Sequence, residues 1–303
     1  MKKTILIIAL ALVLGGAGAR AGDIGLSYSR VPLNSEAPDQ TNVGLLEYRG
    51  GLSISATDSR FGGFSSLLVS ADGARMLATS DKGVWFSARL GYDDAGHLDA
   101  LSSGQLAPIT GPDGKPVAGR YRDAEALARG ADGTVLLAFE QHHRILRYTL
   151  TDTLDTARLS ATTPDLVAAP AELSEFNSNA ATEGLAVLHD GGLLILTEGL
   201  DNEHADKPGW VLRTGQSHAR LEYFCAARFR PTGAARLPDG DIVVVERRYT
   251  LIGGVAALLR CIPQAVIQPG GASMGQKSYA FSRRSRLIIW KASRRGAMRP
   301  AGR

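Results

Sequence analysis

Four stretches of the chain repeat one order of apolar and polar positions. Each has a short run of small and apolar residues, an Asp-Gly pair, a compact apolar run and then an acidic residue. These stretches are residues 65–81, 123–150, 183–198 and 232–246, and their Asp-Gly pairs are 60, 58 and 49 residues apart. Such a period indicates repeated supersecondary units that bury their faces against each other, as in a propeller or a solenoid.

An Asp-Gly pair between two apolar runs predicts a two-residue hairpin turn, because both turn positions need a positive φ. In a hairpin symmetric about this turn, Glu125 faces Glu140, and Glu183 faces Glu198. Directly opposed Cβ atoms lie about 5 Å apart, where like charges are destabilising. A cation between the carboxylates, or a shared proton, would remove that repulsion. The alternatives are solvated acids at strand ends and a one-residue bulge that breaks the pairing.

The apolar runs that follow the Asp-Gly pairs do not alternate with polar residues. They are residues 135–139, 193–196 and 242–245. Strands of this composition are covered on both faces. Antiparallel sheets stacked face to face, as the blades of a propeller are, meet that requirement. Helical periodicity is weak, so the sequence predicts an all-β chain with a β-propeller fold.

Equivalent positions in successive blades point towards the same end of a central channel, so the acids of the repeats should gather there. Carboxylate oxygens suit Ca²⁺ or another hard divalent cation. The candidate catalytic residues are Glu125, Glu140, Glu183 and Glu198. The candidate metal ligands are Asp81, Glu125, Glu183, Glu198 and Glu246. In the fourth repeat Glu246 opposes Gly233, so one carboxylate is absent there.

Basic residues follow two of these acids. Arg144 comes shortly after Glu140, and Arg247 and Arg248 come directly after Glu246. Guanidinium groups beside a metal-loaded acidic rim are suited to binding an anionic substrate such as a phosphate ester. The alternative is that each arginine pairs with a strand-end glutamate.

The first 21 residues have the pattern of a secretory signal peptide. Lys2 and Lys3 precede an apolar run at residues 5–15, and Ala19-Arg20-Ala21 has the A-x-A form of a cleavage site. The run is too short to span a bilayer comfortably. We therefore expect an exported protein, periplasmic or secreted, with no transmembrane anchor after cleavage.

The formal net charge of +4 does not describe the body of the chain. Of the 34 basic residues, nine lie in residues 269–303 and three in the signal segment, which leaves 22 against 30 acidic residues, a net charge of −8. An acidic body favours divalent cations and gives no support to nucleic-acid binding. Cys225 and Cys261 enter an oxidising compartment, either paired or as two buried free thiols.

The repeat motifs resemble one family. They are FGGFSSLLVSADG with TSDKGVW, RDAEALARGADG with FEQHHRIL, TEGLAVLHDG with LTEG, and RPTGAARLPDG with VVERRYT. Over about residues 60–268 their order and spacing are similar to those of exported phytase-like β-propeller proteins, described as having "esterase-like activity of phytase". The resemblance implies about six blades in a complete chain. It also implies phosphomonoesterase or phosphodiesterase activity, with Ca²⁺ held by the Asp and Glu positions named above.

The resemblance stops after Pro269. Residues 269–303 contain nine basic residues, no acid and no repeat. Another reading frame of a back-translated tail permits EGLA with an Asp seven residues after the Glu, which is the spacing from Glu183 to Asp190. We therefore expect a truncated or frameshifted C-terminus and an incomplete last blade. The expected organisation is a signal peptide at 1–21, a propeller at 22–268 and an unstructured basic tail at 269–303.

The function expected from the sequence is metal-dependent hydrolysis of a phosphate ester. The one G-x-S-x-G of the chain, at residues 271–275, lies in the basic tail and outside the repeats, and the chain has no Walker-type loop, strand-associated G-x-G-x-x-G or C-x-x-C motif. Serine-nucleophile and nucleotide-dependent chemistry therefore lose their usual support. We expect a monomer that takes a small anionic substrate. The alternatives are a non-catalytic propeller that binds a ligand or a protein, and a lactonase-like propeller hydrolase, because fold does not fix chemistry.

Overall fold

The structure, a computed structural model, describes residues 21–44, 46–130, 132–149, 154–176, 182–199, 206–251, 254–267, 272–274 and 277–281. Nearly all of the predicted signal peptide lies outside these residues. At the N-terminal side of the described chain are five short strands: β1 (Gly22–Asp23), β2 (Leu26–Arg30), β3 (Asn42–Val43), β4 (Leu46–Glu47) and β5 (Leu52–Ala56). Strands β2 and β5 pair with each other, as do β3 and β4.

Four larger sheets follow, which we call blades 1 to 4. Blade 1 contains β6 (Phe64–Val69), β7 (Arg75–Ser80), β8 (Val84–Tyr92) and β9 (Leu98–Pro108), with β1 added beside β9. Blade 2 contains β10 (Ala124–Arg129), β11 (Val135–Phe139), β12 (Arg144–Tyr148) and β13 (Asp165–Val167). In both blades, strands that are consecutive along the chain pair antiparallel, as in an up-and-down propeller blade.

Blade 3 contains β14 (Thr182–Val187), β15 (Leu193–Thr197), β16 (Asp206–Leu212) and β17 (Ala219–Phe224), and β21 (Ala272–Met274) pairs parallel to β17. Blade 4 contains β18 (Arg230–Arg236), β19 (Ile242–Thr250), β20 (Gly254–Ile262) and β22 (Lys277–Phe281). Helical elements in the described residues are short. They are α1 (Thr156–Ala161) and the 3-10 helices Gly119–Tyr121, Ala171–Glu175 and Gln264–Val266.

The four blades stand side by side around a channel, so the chain has the predicted β-propeller arrangement. Their first strands form its wall, with β6 against β10, β10 against β14 and β14 against β18. Separate apolar cores fill the spaces between blades 1 and 2, blades 2 and 3, and blades 3 and 4. Strands β11 and β15 are buried along their whole length, which confirms that these two apolar runs are covered on both faces.

Blade 4 differs from that expectation. In β19, Ile242 and Val244 are buried, whereas Val243 and Val245 are only half-buried and line the channel cavity described below. Residues 242–245 therefore have one covered face. Their unbroken apolar run predicted two, because hydrophobicity alone does not distinguish a strand between two blades from one beside a cavity.

The Asp-Gly hairpins are one residue longer than predicted in blades 2, 3 and 4. In blade 2 the N–H of Gly130 donates to the carbonyl of Thr134 at 2.9 Å, which closes a three-residue loop. Gly133 has a positive φ, of 82°, whereas Asp132 does not, and the Asp132 carboxylate instead accepts hydrogen bonds from Thr134. A three-residue loop with a left-handed glycine at its last position moves the register of the hairpin by one residue. The predicted two-residue turn is therefore wrong.

Each first strand also contains a bulge near its other end. The register shifts between Phe64 and Ser66, Ala124 and Ala126, Thr182 and Gly184, and Pro231 and Gly233. The extra residues of the bulges are thus Ser65, Glu125, Glu183 and Thr232, at equivalent positions of the four blades. A bulge re-aims the side chain of its extra residue, and such bulges are frequent beside functional sites.

Two strands lie within residues 269–303, where the sequence predicts no structure. The backbone of β22 pairs antiparallel with β20, from Ala257 opposite Phe281 to Cys261 opposite Lys277, and supplies the fourth strand of blade 4. An outer strand joins its sheet through backbone hydrogen bonds, so it does not need the repeat motif. The described residues form four blades, fewer than the six implied for a complete chain.

Two further features of the described residues concern their helices and their two cysteines. None of their helices is long and apolar enough to cross a membrane. Cys225 and Cys261 are free thiols, and Cys225 is buried. Burial, reinforced by Glu246, raises the pKa of the Cys225 thiol to about 12, so it stays neutral at physiological pH.

Candidate functional site

Three carboxylates of blade 2 meet at one end of the channel. Asp123 directly precedes β10, Glu125 is the bulged residue of β10, and Glu140 directly follows β11. One carboxylate oxygen from each residue lies within 4.8 Å of the other two. The backbone N–H of Glu140 donates to the carbonyl of Asp123 at 2.8 Å, which fixes the ends of the two strands to each other. These oxygen ligands are of the kind that a hard divalent cation prefers.

Glu140 is the most strongly perturbed member of this cluster. Its side chain is buried, with 5% of its surface exposed, and its Oε1 atom has no hydrogen-bond partner in the structure. Burial raises the pKa of this carboxyl from an ordinary 4.5 to about 9, with further contributions from Glu125, Glu183, Asp123 and Glu198. A buried carboxyl with an orphaned oxygen among other carboxylates is the arrangement that a cation would satisfy.

The predicted face-to-face pairing of Glu125 with Glu140 is wrong in register although the two residues do meet. Ala124 faces Phe139 and Ala126 faces Ala138, so Glu125 is the extra residue of the bulge and does not stand opposite Glu140. Glu125 and Glu140 therefore do not face each other across the strands, but the bulge brings the Glu125 carboxylate beside that of Glu140. In blade 3 the predicted pairing of Glu183 with Glu198 is also wrong in register, because Thr182 faces Thr197 and Glu183 is the extra residue of the bulge before Gly184.

A cavity of about 260 Å³ occupies the channel between β6 and β18. Its wall includes Glu125 and Glu183 together with Ser65 and Thr232, which are the bulged residues of all four blades. The bulges therefore place two carboxylates and two hydroxyls at one level of the channel. This position connects the acidic cluster with a space that a small ligand can enter.

Glu198 in blade 3 is held by two arginines from blade 4. The Arg230 Nη1 atom donates to Glu198 Oε2 at 2.8 Å, and Arg247 Nη2 lies 4.0 Å from Glu198 Oε1. The Glu198 side chain is 9% exposed, whereas those of Arg230 and Arg247 are 31% and 33% exposed. Glu198 thus has two cationic partners from the neighbouring blade.

Glu246 lies apart from the carboxylates at the end of the channel, which corrects its prediction as a metal ligand. It faces Pro231 and not Gly233, and is fully buried. Its carboxylate accepts hydrogen bonds from Arg260 Nε at 2.7 Å and from the Tyr223 hydroxyl at 2.6 Å. Residues next to each other in a strand point to opposite faces, and the position equivalent to Glu140 and Glu198 is that of Arg247. In blade 4, Thr232 takes the place of the bulged acid and Arg247 takes the place of the acid that follows the second strand. The departure from the acidic pattern is therefore at these two positions and not at Gly233.

Asp81 occupies the equivalent position in blade 1, directly after β7. Its backbone N–H donates to the carbonyl of Gly63 at 2.9 Å. A Cβ atom added at Gly63, which has a φ of +70°, would lie 1.9 Å from Asp81 Oδ1, so this approach requires glycine. The structure does not place Asp81 in the carboxylate cluster of blade 2.

Two of the three predicted substrate-binding arginines are occupied elsewhere. Arg144 donates to the backbone carbonyls of His142 and Tyr121, and its guanidinium carbon lies 3.9 Å from the centroid of the Phe139 ring. Burial lowers the pKa of Arg144 to about 10. Arg248 stacks over the ring of Phe229 at 5.0 Å. Of the three, Arg247 is the one that lies beside a predicted site carboxylate, that of Glu198.

Sequence reasoning missed Asp123 and Arg230. Asp123 lies two positions before Glu125, and residues two apart in a strand point to the same face, so the sequence carries a signal for its closeness to Glu125. The corresponding residues before Ser65 and Glu183 are Gly63 and Ala181, so the other repeats do not mark this position as acidic. Arg230 stands in the analogous place before the blade 4 bulge, and its importance depends on Glu198, which lies 32 residues earlier.

Several solved structures are similar in architecture. Virginiamycin B lyase from Staphylococcus aureus is 10% identical, with 86% of this chain and 97% of that chain covered and a TM-score of 0.38. The Dos1 propeller is 9% identical, with coverages of 88% and 65% and a TM-score of 0.38. The RRP9 WD40 repeats are 12% identical, with coverages of 73% and 52% and a TM-score of 0.36. Similarity at this level says nothing about the activity of this chain.

No curated protein sequence matches the chain. A family model does match, over residues 59–287, and its description is "Phytase-like: Esterase-like activity of phytase". The match includes all four blades and extends beyond the boundary at residue 268 that the sequence predicted. The chain therefore belongs to the phytase-like family described by esterase-like activity of phytase.

Proposed function

We propose that this protein is an exported, metal-dependent hydrolase of phosphate esters, whose cation site is the cluster of Asp123, Glu125 and Glu140. The observation that carries the proposal is the buried, unpartnered Oε1 of Glu140, in a group of carboxylates whose oxygens lie within 4.8 Å of one another. Membership of a phytase-like family supports an ester as the substrate class. The predicted signal peptide is the basis for including export.

The residues present fit a divalent cation, and Ca²⁺ is the ion that we propose. All three side chains offer carboxylate oxygens, and the hydroxyls of Ser65 and Thr232 line the nearby cavity. Calcium accepts six to eight oxygen ligands in a flexible geometry, including mono- and bidentate carboxylates. Burial and then the surrounding carboxylates raise the pKa of Glu140, and a bound cation would lower this pKa by favouring the charged form.

The side chains of the chain then have separate roles. When bound, the cation supplies Lewis-acid chemistry, polarising a phosphoryl oxygen and lowering the pKa of a water molecule. Asp123, Glu125 and Glu140 hold it at the channel mouth. Glu183 lines the cavity, which supports a role as the base that accepts a proton from the water attacking the ester. Glu198 is bound by Arg230, so it acts by positioning its neighbours.

The test is hydrolysis of a generic phosphodiester and a generic phosphomonoester by purified mature protein, in excess calcium and after chelation. We expect calcium-dependent turnover, abolished in Glu140→Gln. Glu175→Gln, a change of the same kind at an exposed position, is the control and should have full activity. Calcium binding without turnover of either ester would favour the binding propeller, and turnover of a lactone in place of the esters would favour the lactonase.

A further inference from the structure

The charge of the residues at equivalent positions of the channel mouth changes from negative to positive at blade 4. The position directly after the last paired residue of the second strand is Asp81 in blade 1, Glu140 in blade 2 and Glu198 in blade 3. In blade 4 the residue after Glu246, which pairs with Pro231, is Arg247. The mouth is therefore anionic at blade 2 and cationic at blade 4, with blade 3 between them.

Arg230 and Arg247 hold one carboxylate from two sides. Each oxygen of Glu198 has its own guanidinium, with Oε2 at 2.8 Å from Arg230 and Oε1 at 4.0 Å from Arg247. Two guanidiniums against one carboxylate leave one positive charge that this ion-pair network does not neutralise. Both arginine side chains are about one-third exposed, while Glu198 is 9% exposed, so the open side of the network is the cationic side.

We propose that Arg230 and Arg247 form the subsite that binds the phosphate group of the substrate, with Glu198 as the residue that positions them. This inference rests on the proposed function and adds its substrate-binding half. Planar guanidinium groups bind phosphate oxygens through paired hydrogen bonds, and two of them suit a group with several charged oxygens. A phosphate at blade 4 and a cation at blade 2 share the mouth of one channel.

Three other arginines near these strand ends do not meet the same conditions. Arg144 donates to two backbone carbonyls and covers the ring of Phe139. Arg248 covers the ring of Phe229. Arg260 is bound to the buried Glu246 and is only 11% exposed. Arg230 and Arg247 are the pair that combines exposure with a shared, ordered carboxylate.

The experiment is calorimetric titration of inorganic phosphate into the mature protein, with and without calcium. We expect the wild type to bind phosphate, and Arg230→Ala and Arg247→Ala each to weaken binding by about tenfold or more, the loss expected for charged hydrogen bonds. Arg213→Ala is the matched control. It removes an arginine paired with Asp190 at 2.7 Å at the opposite end of blade 3, and phosphate affinity should not change.

Two further variants separate binding from folding. Glu198→Gln keeps the shape of the side chain and an amide oxygen that can accept from Arg230, so the arginines stay in position. It removes the competing negative charge, so phosphate affinity should rise. Where an alanine variant does not fold, Arg230→Lys and Arg247→Lys carry the test. Each keeps the charge but loses the planar fork, and each should weaken phosphate binding by about threefold or more.

The inference is overturned by a wild type that does not bind phosphate at millimolar concentration, or by unchanged affinity in the arginine variants. Its failure is distinguishable from that of the proposed function. Calcium-dependent hydrolysis with full activity in Arg230→Ala and Arg247→Ala would remove the subsite and leave the hydrolase. Phosphate binding lost in both variants, in a protein that binds no calcium, would leave the subsite and remove the metal-dependent mechanism.

Discussion

Glu140 and Asp123 are joined through their backbones by a 2.8 Å hydrogen bond, from the N–H of Glu140 to the carbonyl of Asp123. This bond spans the end of the β10–β11 hairpin and brings both carboxylates to the bulged Glu125. The position of the cluster therefore depends on backbone geometry at a strand end. It does not depend on a flexible loop, which suits a site that must hold its ligands in a fixed arrangement.

The stability of the metal-free protein should fall as pH rises. The folded-state pKa of Glu140 is about 9 and its ordinary value is 4.5, so the folded state binds more protons between these values. The contribution is fully present below the ordinary pKa and is lost as pH rises through the folded one, by at most about 1.4 kcal/mol per pH unit. Urea unfolding in a chelator between pH 5 and pH 9 measures it.

Glu140→Gln is the matched variant for that series. The amide has the same shape and no titratable group, so its stability should change less with pH than that of the wild type. Identical pH slopes for the two proteins would show that Glu140 is ionised in the folded state, contrary to the burial and crowding described above.

Removing the Glu246 carboxylate should destabilise the protein without affecting cation binding. Glu246→Ala leaves the guanidinium of Arg260 and the hydroxyl of Tyr223 buried without their acceptor. Breaking a buried ion pair from one side costs about 3–5 kcal/mol. The measurement is urea unfolding, with calcium titration of the same sample. Glu222→Ala, which removes an exposed pair with Arg220, should change stability by less than about 0.5 kcal/mol.

A loss of calcium affinity in a folded Glu246→Ala protein would contradict this account. It would return Glu246 to the set of metal ligands that the sequence predicted. The structure gives the opposite expectation, because the carboxylate already accepts from Arg260, Tyr223 and the backbone N–H of Ala226.

Much of the site follows from the repeat pattern, and the rest depends on single-residue shifts. The Asp-Gly pairs and apolar runs correctly place Glu125 and Glu140 in one hairpin. The loop of three residues and the bulge each shift the register by one, and no feature of the sequence marks either. In blade 4 such a shift puts Arg247, and not Glu246, at the position equivalent to Glu140 and Glu198. A cationic side chain therefore stands where the sequence predicted a metal ligand. Short-range patterns identify the hairpin, whereas its register is decided by backbone hydrogen bonds.

Arg144 should stabilise blade 2 and have no role in phosphate binding. Arg144→Ala removes its bonds to two backbone carbonyls and its contact with the Phe139 ring, at a cost of about 2 kcal/mol. Arg147→Ala, at an exposed position of the same strand, is the control and should have little effect. Thermal unfolding gives the stability, and phosphate titration gives the binding. Weaker phosphate binding in a folded Arg144→Ala protein would restore the role predicted from the sequence.

Asp123, Glu125 and Glu140 should hold a divalent cation, and calorimetric titration of calcium into metal-free protein measures this binding. We expect binding at one site, lost in Glu140→Gln and in Asp123→Asn, and unchanged in Glu175→Gln. We also expect a calcium-dependent rise in melting temperature, because a ligand that binds only the folded state stabilises it. No heat of binding at millimolar calcium, or the same affinity in wild type and Glu140→Gln, would contradict the proposed cation site.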